Sequence, residues 1–166
     1  MYKCSFRGGN AALKEFRNCD KEKSFKEIEI LFAMRHPNII GLYGWYQLPG
    51  TIVQVGAVLE FAPNGDLRHY YQQNDYIFLN ALKVLAGAAK GMAHMHSMPV
   101  PVVHRDLKSG NIMIMADGIS GKIGDVGESR RVDLNSTMTQ RGTPLWAAVR
   151  PLTGHHNVTL RLTDIS

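Results

Sequence analysis

The chain has 166 residues, 45% of them hydrophobic and 20% charged, a balance that fits one globular domain and excludes wholesale disorder. Its net charge of +5 comes from 19 cationic and 14 anionic side chains that are interspersed rather than blocked, so no nucleic-acid-binding patch is indicated. The charged start lacks a signal-peptide pattern, no apolar run approaches the ~20 residues of a membrane helix, and the two cysteines, Cys4 and Cys19, read as reduced thiols of an intracellular, cytoplasmic protein.

In chain order, Ala11 to Phe16 is the first strand-like run, preceded by a Gly8-Gly9-Asn10 turn. Phe25, Ile28, Leu31 and Phe32 then recur at helical spacing, and Pro37 closes that helix. Two strands follow, Ile39 to Tyr46 and Ile52 to Phe61, joined by Pro49-Gly50. Pro63-Asn64-Gly65-Asp66 reads as a linker. Beyond it Phe78, Leu82, Leu85, Ala89 and Met92 form a stripe at 3–4 spacing, with Gly87, Ala88 and Gly91 small enough for close packing. Ile112 to Met115 and Gly121 to Ile123 flank the turn dipeptide Asp117-Gly118 and predict a hairpin. From Val126 to Trp146 the chain is polar and aperiodic, a loop long enough to carry function.

The informative stretch is His104-Arg105-Asp106-Leu107-Lys108-Ser109-Gly110-Asn111, a loop held between a helix and a hairpin. Phosphoryl transfer needs a carboxylate to accept the acceptor hydroxyl's proton and an oxygen ligand for the nucleotide's magnesium. Asp106 and Asn111 stand at the H-R-D-x-x-x-x-N spacing that supplies both.

With these residues the chain resembles the eukaryotic protein kinase family. The resemblance implies an α+β, two-lobed kinase-like fold: a small antiparallel-sheet lobe with one helix, then the first part of a helical large lobe. The implied boundaries are 1–59 for the small lobe, 60–66 for the hinge and 67–148 for the start of the large lobe through the activation loop. Residues 149–166 are left as an unassigned tail. Asp125-Val126-Gly127, nineteen residues after Asp106, lies where the family has Asp-Phe-Gly, which makes Asp125 a second magnesium ligand. Ala12-Leu13-Lys14 is similar to the V-A-I-K strand, whose lysine holds the α/β-phosphates. Glu27 then matches the glutamate that pairs with that lysine. Its other reading is local, because Ser24-Phe25-Lys26-Glu27 also spells a capping box that would turn Glu27 back onto its own helix.

Leu59 to Asp66 is similar to the family's hinge. The resemblance implies that the backbone of Glu60 and Ala62 meets the adenine, that Asp66 reaches the ribose, and that Ala12 and Met113 sandwich the ring. Lys108, two residues after Asp106, resembles Ser/Thr kinases and is implied to neutralise γ-phosphate charge. Gly142-Thr143-Pro144-Leu145-Trp146 points the same way, closest to the tyrosine-kinase-like group of Ser/Thr kinases. Arg105 is implied to meet an activation-loop phosphate, with Ser136, Thr137 and Thr139 as sites for an upstream activating kinase.

Four features depart from the pattern. No G-x-G-x-x-G is found, Val126 replaces the aromatic of D-F-G, A-P-E is absent, and the helical bulk of the large lobe is not represented. The expectation is a kinase domain truncated at both ends. It would transfer the γ-phosphoryl group of ATP, with Mg²⁺, to Ser/Thr of a protein substrate in signalling. The alternative is a non-catalytic kinase-fold fragment acting as a binding or regulatory module, or an incomplete gene model.

Overall fold

The computed structural model describes residues 1–16, 21–48, 54–75 and 77–131. Cys19, the Pro49-Gly50 turn, Ser136, Thr137, Thr139, the Gly142–Trp146 segment and the 149–166 tail lie outside the described residues.

The chain begins with a hairpin of β1 (Tyr2–Phe6) and β2 (Gly9–Phe16). Its turn is Arg7-Gly8, both with positive φ, at 51° and 82°. A two-residue loop of that kind matches the twist of its flanking strands. Gly9 and Asn10, expected in the turn, are the first residues of β2 instead. Helix α1 (Lys21–Ala33) follows, then β3 (Leu42–Leu48) and β4 (Gln54–Glu60). The four strands form one antiparallel sheet in the order β1-β2-β4-β3. β3 starts three residues later than expected, because Ile39 is spent in a parallel bridge to Ile123.

Helix α1 buries Ser24, Glu27, Ile28 and Leu31, at i, i+3, i+4 and i+7, and also Ile30. Phe32, expected on that face, is 63% exposed, with the Arg35 guanidinium over its ring. The helix also starts three residues before Ser24. Ser24 is therefore interior to α1, and the capping-box reading of Ser24 and Glu27 fails on geometry.

Past the turn at Gly65 comes a short helix not expected from sequence, α2 (Leu67–Gln73), capped by Asp66, whose Oδ1 accepts the N–H of His69 at 2.9 Å. The long helix α3 (Phe78–Ser97) buries Ala81, Val84, Gly87, Ala88, Gly91, Met92 and Met95. The reason is close approach. A Cβ on Gly87 would lie 2.6 Å from the Gly121 carbonyl oxygen, and one on Gly91 would lie 2.5 Å from that of Asn38. The small residues thus bring α3 onto the β7 strand (Gly121–Ile123) and the Asn38 segment. Of the 3–4 spaced stripe of large residues, only Met92 is buried. Phe78, Leu82 and Leu85 are among the exposed large hydrophobic residues.

This choice of face carries a test. Val84 has no exposure and Leu85 has 46%. Val84→Ala should cost about 1.5–3 kcal/mol of unfolding free energy, while Leu85→Ala should cost less than about 0.5 kcal/mol. Urea unfolding of the two variants measures this. Equal losses would show that the Leu85 face is covered in solution.

The remaining described elements are short. β5 (Val102–Val103) pairs with β8 (Arg130–Arg131), and β6 (Ile112–Ile114) pairs with β7. The hairpin turn is held by the Asp117 carboxylate, which accepts the N–H groups of Ile119 and Ser120 and the Ser120 hydroxyl. One hydrophobic core runs from Ile28, Leu31 and Leu59 of the sheet lobe through Ile39 and Ile123 to Val84, Met92 and Met95 of α3. It places the loops that carry His104–Asn111 and Asp125 against α1 and β2.

Candidate active site

The catalytic-loop candidate spans the gap between β5 and β6. His104 is completely buried. Its Nδ1 accepts the Asp106 N–H at 3.3 Å, which leaves Nε2 as the donor to the Gly124 carbonyl at 3.0 Å. One imidazole therefore ties the loop to the residue before Asp125. Asp106 is held by its neighbours. Its Oδ2 accepts from Lys108 Nζ at 2.8 Å and from Asn111 Nδ2 at 3.1 Å. Asn111 Nδ2 also donates to the Asp106 backbone carbonyl at 2.7 Å. With its amide nitrogen turned onto Asp106, Asn111 presents Oδ1 on the opposite side.

Asp125 sits in the left-handed region, at φ 48° and ψ 72°, a conformation that a short polar side chain tolerates. The next residues form a single 3₁₀ turn, Val126–Glu128, against α1. Val126, which stands where the family carries an aromatic, is 1% exposed and belongs to the core. Arg105, itself at positive φ, donates from Nε to the Glu128 carbonyl at 2.6 Å and so fixes the far end of this turn.

Lys14 joins the two halves. Its Nζ lies 2.6 Å from Glu27 Oε1 and 2.6 Å from Asp125 Oδ1. Strand β2 supplies the lysine, α1 the glutamate and the segment after β7 the aspartate, so three separate elements meet at one ammonium. Burial disfavours the charged Lys14, but Glu27 and Asp125 together outweigh it and hold its pKa above the ordinary lysine value. Burial pushes the Glu27 carboxyl up, and Lys14 offsets this only in part. Burial also works on Asp125, but there the Lys14 charge and hydrogen bonds, with the Gly127 N–H, prevail and hold it below its ordinary value. The difference follows their partners, since Asp125 has the Gly127 N–H and the His104 imidazole in addition to Lys14, whereas Glu27 also feels the Asp125 carboxylate. A cavity of about 470 Å³ is lined by Lys14, Glu27, Asp106 and Asp125 together with Lys23 and Gly127.

The hinge candidates lie along one edge. Ala12 pairs with Leu59 across β2 and β4. The Glu60 N–H donates to the Gly41 carbonyl at 2.8 Å, and Ala62 accepts the Gly65 N–H at 3.2 Å. Asp66 bridges to Met113 of β6. The structure therefore gathers Lys14, Glu27, Asp106 and Asp125 around the cavity, with Lys108 and Asn111 bonded to Asp106, and it sets Ala12 beside Leu59 and Asp66 beside Met113.

The protein kinase domain family matches residues 3–165 of the sequence. The chain belongs to that family. The match runs through the stretch beyond residue 148 that the motifs left unassigned. The kinase domain is 35% identical over 164 residues to a probable serine/threonine-protein kinase of Dictyostelium discoideum, covering 89% of this chain and 12% of that protein. It is 32% identical over 151 residues to a putative serine/threonine-protein kinase/receptor of Acanthamoeba polyphaga mimivirus, covering 87% and 9%. With mitogen-activated protein kinase kinase kinase 7 of Homo sapiens it shares 31% identity over 153 residues, covering 88% and 24%. The kinase domain thus spans a quarter or less of the length of these relatives. Among the described residues, no helix is long and apolar enough to cross a membrane.

From sequence, His104 has no role and Arg105 has only the implied one of meeting an activation-loop phosphate, yet both hold this site together. His104 fastens the catalytic loop to Gly124, and Arg105 fastens the turn after Asp125 through a backbone carbonyl. A buried histidine is recognisable only once its 0% exposure is known, and a bond to a backbone carbonyl leaves no signal in residue identity.

Proposed function

We propose that this kinase domain transfers the γ-phosphoryl group of magnesium-bound ATP to a Ser or Thr hydroxyl of a protein substrate. The observation that carries the reading is Lys14 at 2.6 Å from both Glu27 and Asp125, beside Asp106 and Asn111, which bond to each other. Lys14, held by Glu27, takes the α/β-phosphates. Asp106 accepts the proton of the attacking hydroxyl, with its carboxylate oriented by Lys108 and Asn111. On phosphate arrival Lys108 balances γ-phosphate charge. The Lys108 resemblance and the names of the relatives favour Ser/Thr over Tyr.

The donor set fits magnesium. Asn111 Oδ1 and the Asp125 carboxylate are hard oxygen ligands, and Mg²⁺ is ordinarily held by one or two such groups, with phosphates and water completing its shell. Among the described residues no group of three or more His, Cys, Asp or Glu could hold a metal alone, which also suits an ion that arrives with the nucleotide. When bound, the ion neutralises charge on the β- and γ-phosphates. The adenine lies along the hinge of residues 60–66, between Ala12 and Met113. Since the Glu60 N–H is committed to Gly41, the amide of Ala62 is the hinge donor in this reading. Asp66, with Oδ1 on the α2 cap, offers Oδ2 to the ribose. Residues 1–59 form the small lobe and 67–148 the start of the large lobe. The setting is the cytoplasm, with an upstream kinase acting on Ser136, Thr137 or Thr139.

Nucleotide titration with and without Mg²⁺, followed by phosphoryl transfer to Ser, Thr and Tyr peptides, tests the reading. Asn111 and Asp125 would hold the ion that meets the phosphates in this reading. Affinity for ATP should therefore fall at least tenfold when Mg²⁺ is removed, and transfer should favour Ser or Thr. Metal-independent ATP binding would overturn the assignment of Asn111 and Asp125. Binding without transfer to any peptide would leave a non-catalytic binding module.

A further inference from the structure

Lys122 belongs to no motif read from the sequence. It stands at the middle of β7, opposite Met113 of β6, and its Nζ donates to Glu60 Oε1 at 2.6 Å. The two side chains are only 17% and 19% exposed. The other carboxylate oxygen of Glu60 accepts the Gly41 N–H at 3.1 Å. Each oxygen has its own donor, so the carboxylate cannot rotate without losing one.

These contacts close a ring. The Glu60 N–H donates to the Gly41 carbonyl at 2.8 Å, and Ile40, the neighbour of Gly41, donates to the Ile123 carbonyl at 2.8 Å. Ile123 follows Lys122, which returns to Glu60. Two links are backbone and one is the ion pair. The ring joins the hinge end of β4 to the hairpin that carries Met113 and runs through Gly124 into Asp125. The hinge is thereby held at both ends, at Glu60 by Lys122 and at Asp66 by its bridge to Met113.

We propose that Lys122 is a positioning residue for the nucleotide. Its ion pair with Glu60 fixes the hinge backbone relative to Met113 and Asp125, so that base and phosphates are held at one spacing. The proposal rests on the nucleotide-site reading above. An ordinary surface ion pair contributes little. This one acts through geometry, because the hinge must present its backbone to the base within a fraction of an ångström. The backbone links survive its removal, so the fold persists while the hinge loses its fixed angle.

The test compares wild type with Lys122→Met, Glu60→Gln and Lys122→Arg. Calorimetry reads the affinity for adenosine and for Mg-ATP, steady-state kinetics read KM for ATP and kcat, and a thermal melt accompanies each. Lys122→Met and Glu60→Gln should weaken adenosine and Mg-ATP by the same factor, about 5–30-fold, the range given by one to two kcal/mol. KM should rise more than kcat falls, melting should change little, and Lys122→Arg should keep most of the wild-type affinity. A loss confined to Mg-ATP would overturn the proposal, since Lys122 would then act on phosphate charge. Unchanged affinity, an Arg variant as weak as the Met variant, or a loss that tracks a lowered melting temperature would overturn it too. Wild-type protein that binds neither ligand would overturn the nucleotide reading itself, and the positioning role with it, before any variant is compared.

Discussion

The Asp106→Asn variant is expected to lose phosphotransfer by a factor of about 10²–10⁴, the range that general-base assistance contributes, with its melt almost unchanged. The substitution keeps size and two hydrogen-bonding ends but removes the group that takes the proton. Its effect on the fold is limited by where the loop's bonds go. Asn111 Nδ2 reaches the backbone carbonyl of residue 106 at 2.7 Å, and the N–H of residue 106 reaches His104 Nδ1, so neither contact depends on the carboxylate. Lys108, at 2.8 Å from Oδ2, would meet an amide oxygen instead, a change of about 1 kcal/mol or less for a pair that is partly exposed. Transfer of the terminal phosphoryl group to a Ser/Thr peptide, measured beside nucleotide affinity, decides the point. A variant with wild-type turnover would show that Asp106 is not the base. One that lost both affinity and its melt would show that its role is architectural.

The site was legible in sequence where chemistry fixes residue type at fixed spacing. Asp106, Lys108 and Asn111 lie within six residues, so one loop determines their neighbourhood, and the structure bonds them to one another. Lys14, Glu27 and Asp125 are far apart in the chain, and only the resemblance placed them together. The capping-box alternative for Glu27 could not be dismissed until α1 proved to begin at Lys21. Which face a helix buries is not legible from apolar periodicity alone, for a physical reason. Apolar periodicity identifies that a helix has a stripe, but α3 carries two, one of large residues and one of small. Close approach to Asn38 and Gly121 selects the small one, since Gly87 and Gly91 leave no room for a Cβ. In α1 the buried stripe includes Ser24 and Glu27, so a search for apolar residues alone gave Phe32 a place that the polar pair holds. The Glu60–Lys122 pair left no trace either. A glutamate at a strand end and a lysine in a hairpin are ordinary surface residues until the backbone bonds of Gly41 and Ile123 bring the end of β4 beside β7.

The second large effect is expected at Lys14. In Lys14→Met, Glu27 and Asp125 lose the ammonium that lies 2.6 Å from each, and two carboxylates are left facing one another. Phosphotransfer should fall by about 10²–10³-fold, the usual loss when one charge-stabilising donor is removed. Stability should change with a recognisable pH dependence. In the wild type Glu27 is already raised by burial and Asp125 is depressed by Lys14, so Glu27 takes up its proton first as the solution is acidified. Without Lys14 both groups shift upward, because burial and mutual repulsion now act unopposed. A carboxyl whose folded pKa exceeds its unfolded value stabilises the fold below the unfolded pKa, and that contribution is lost as the pH rises through the folded pKa. The variant should therefore approach wild-type stability in the acid carboxylate range and fall behind as Glu27 ionises. By neutral pH the deficit should reach about 2–3 kcal/mol, below the ~3–5 kcal/mol of a fully buried broken pair because Asp125 is half exposed. Urea unfolding between pH 4 and pH 8, with carboxyl ¹³C shifts of Glu27 and Asp125 followed in parallel, measures both parts. A deficit that is constant across that range, or a Glu27 midpoint below that of Asp125 in the wild type, would mean that Lys14 does not hold these two carboxylates together in solution.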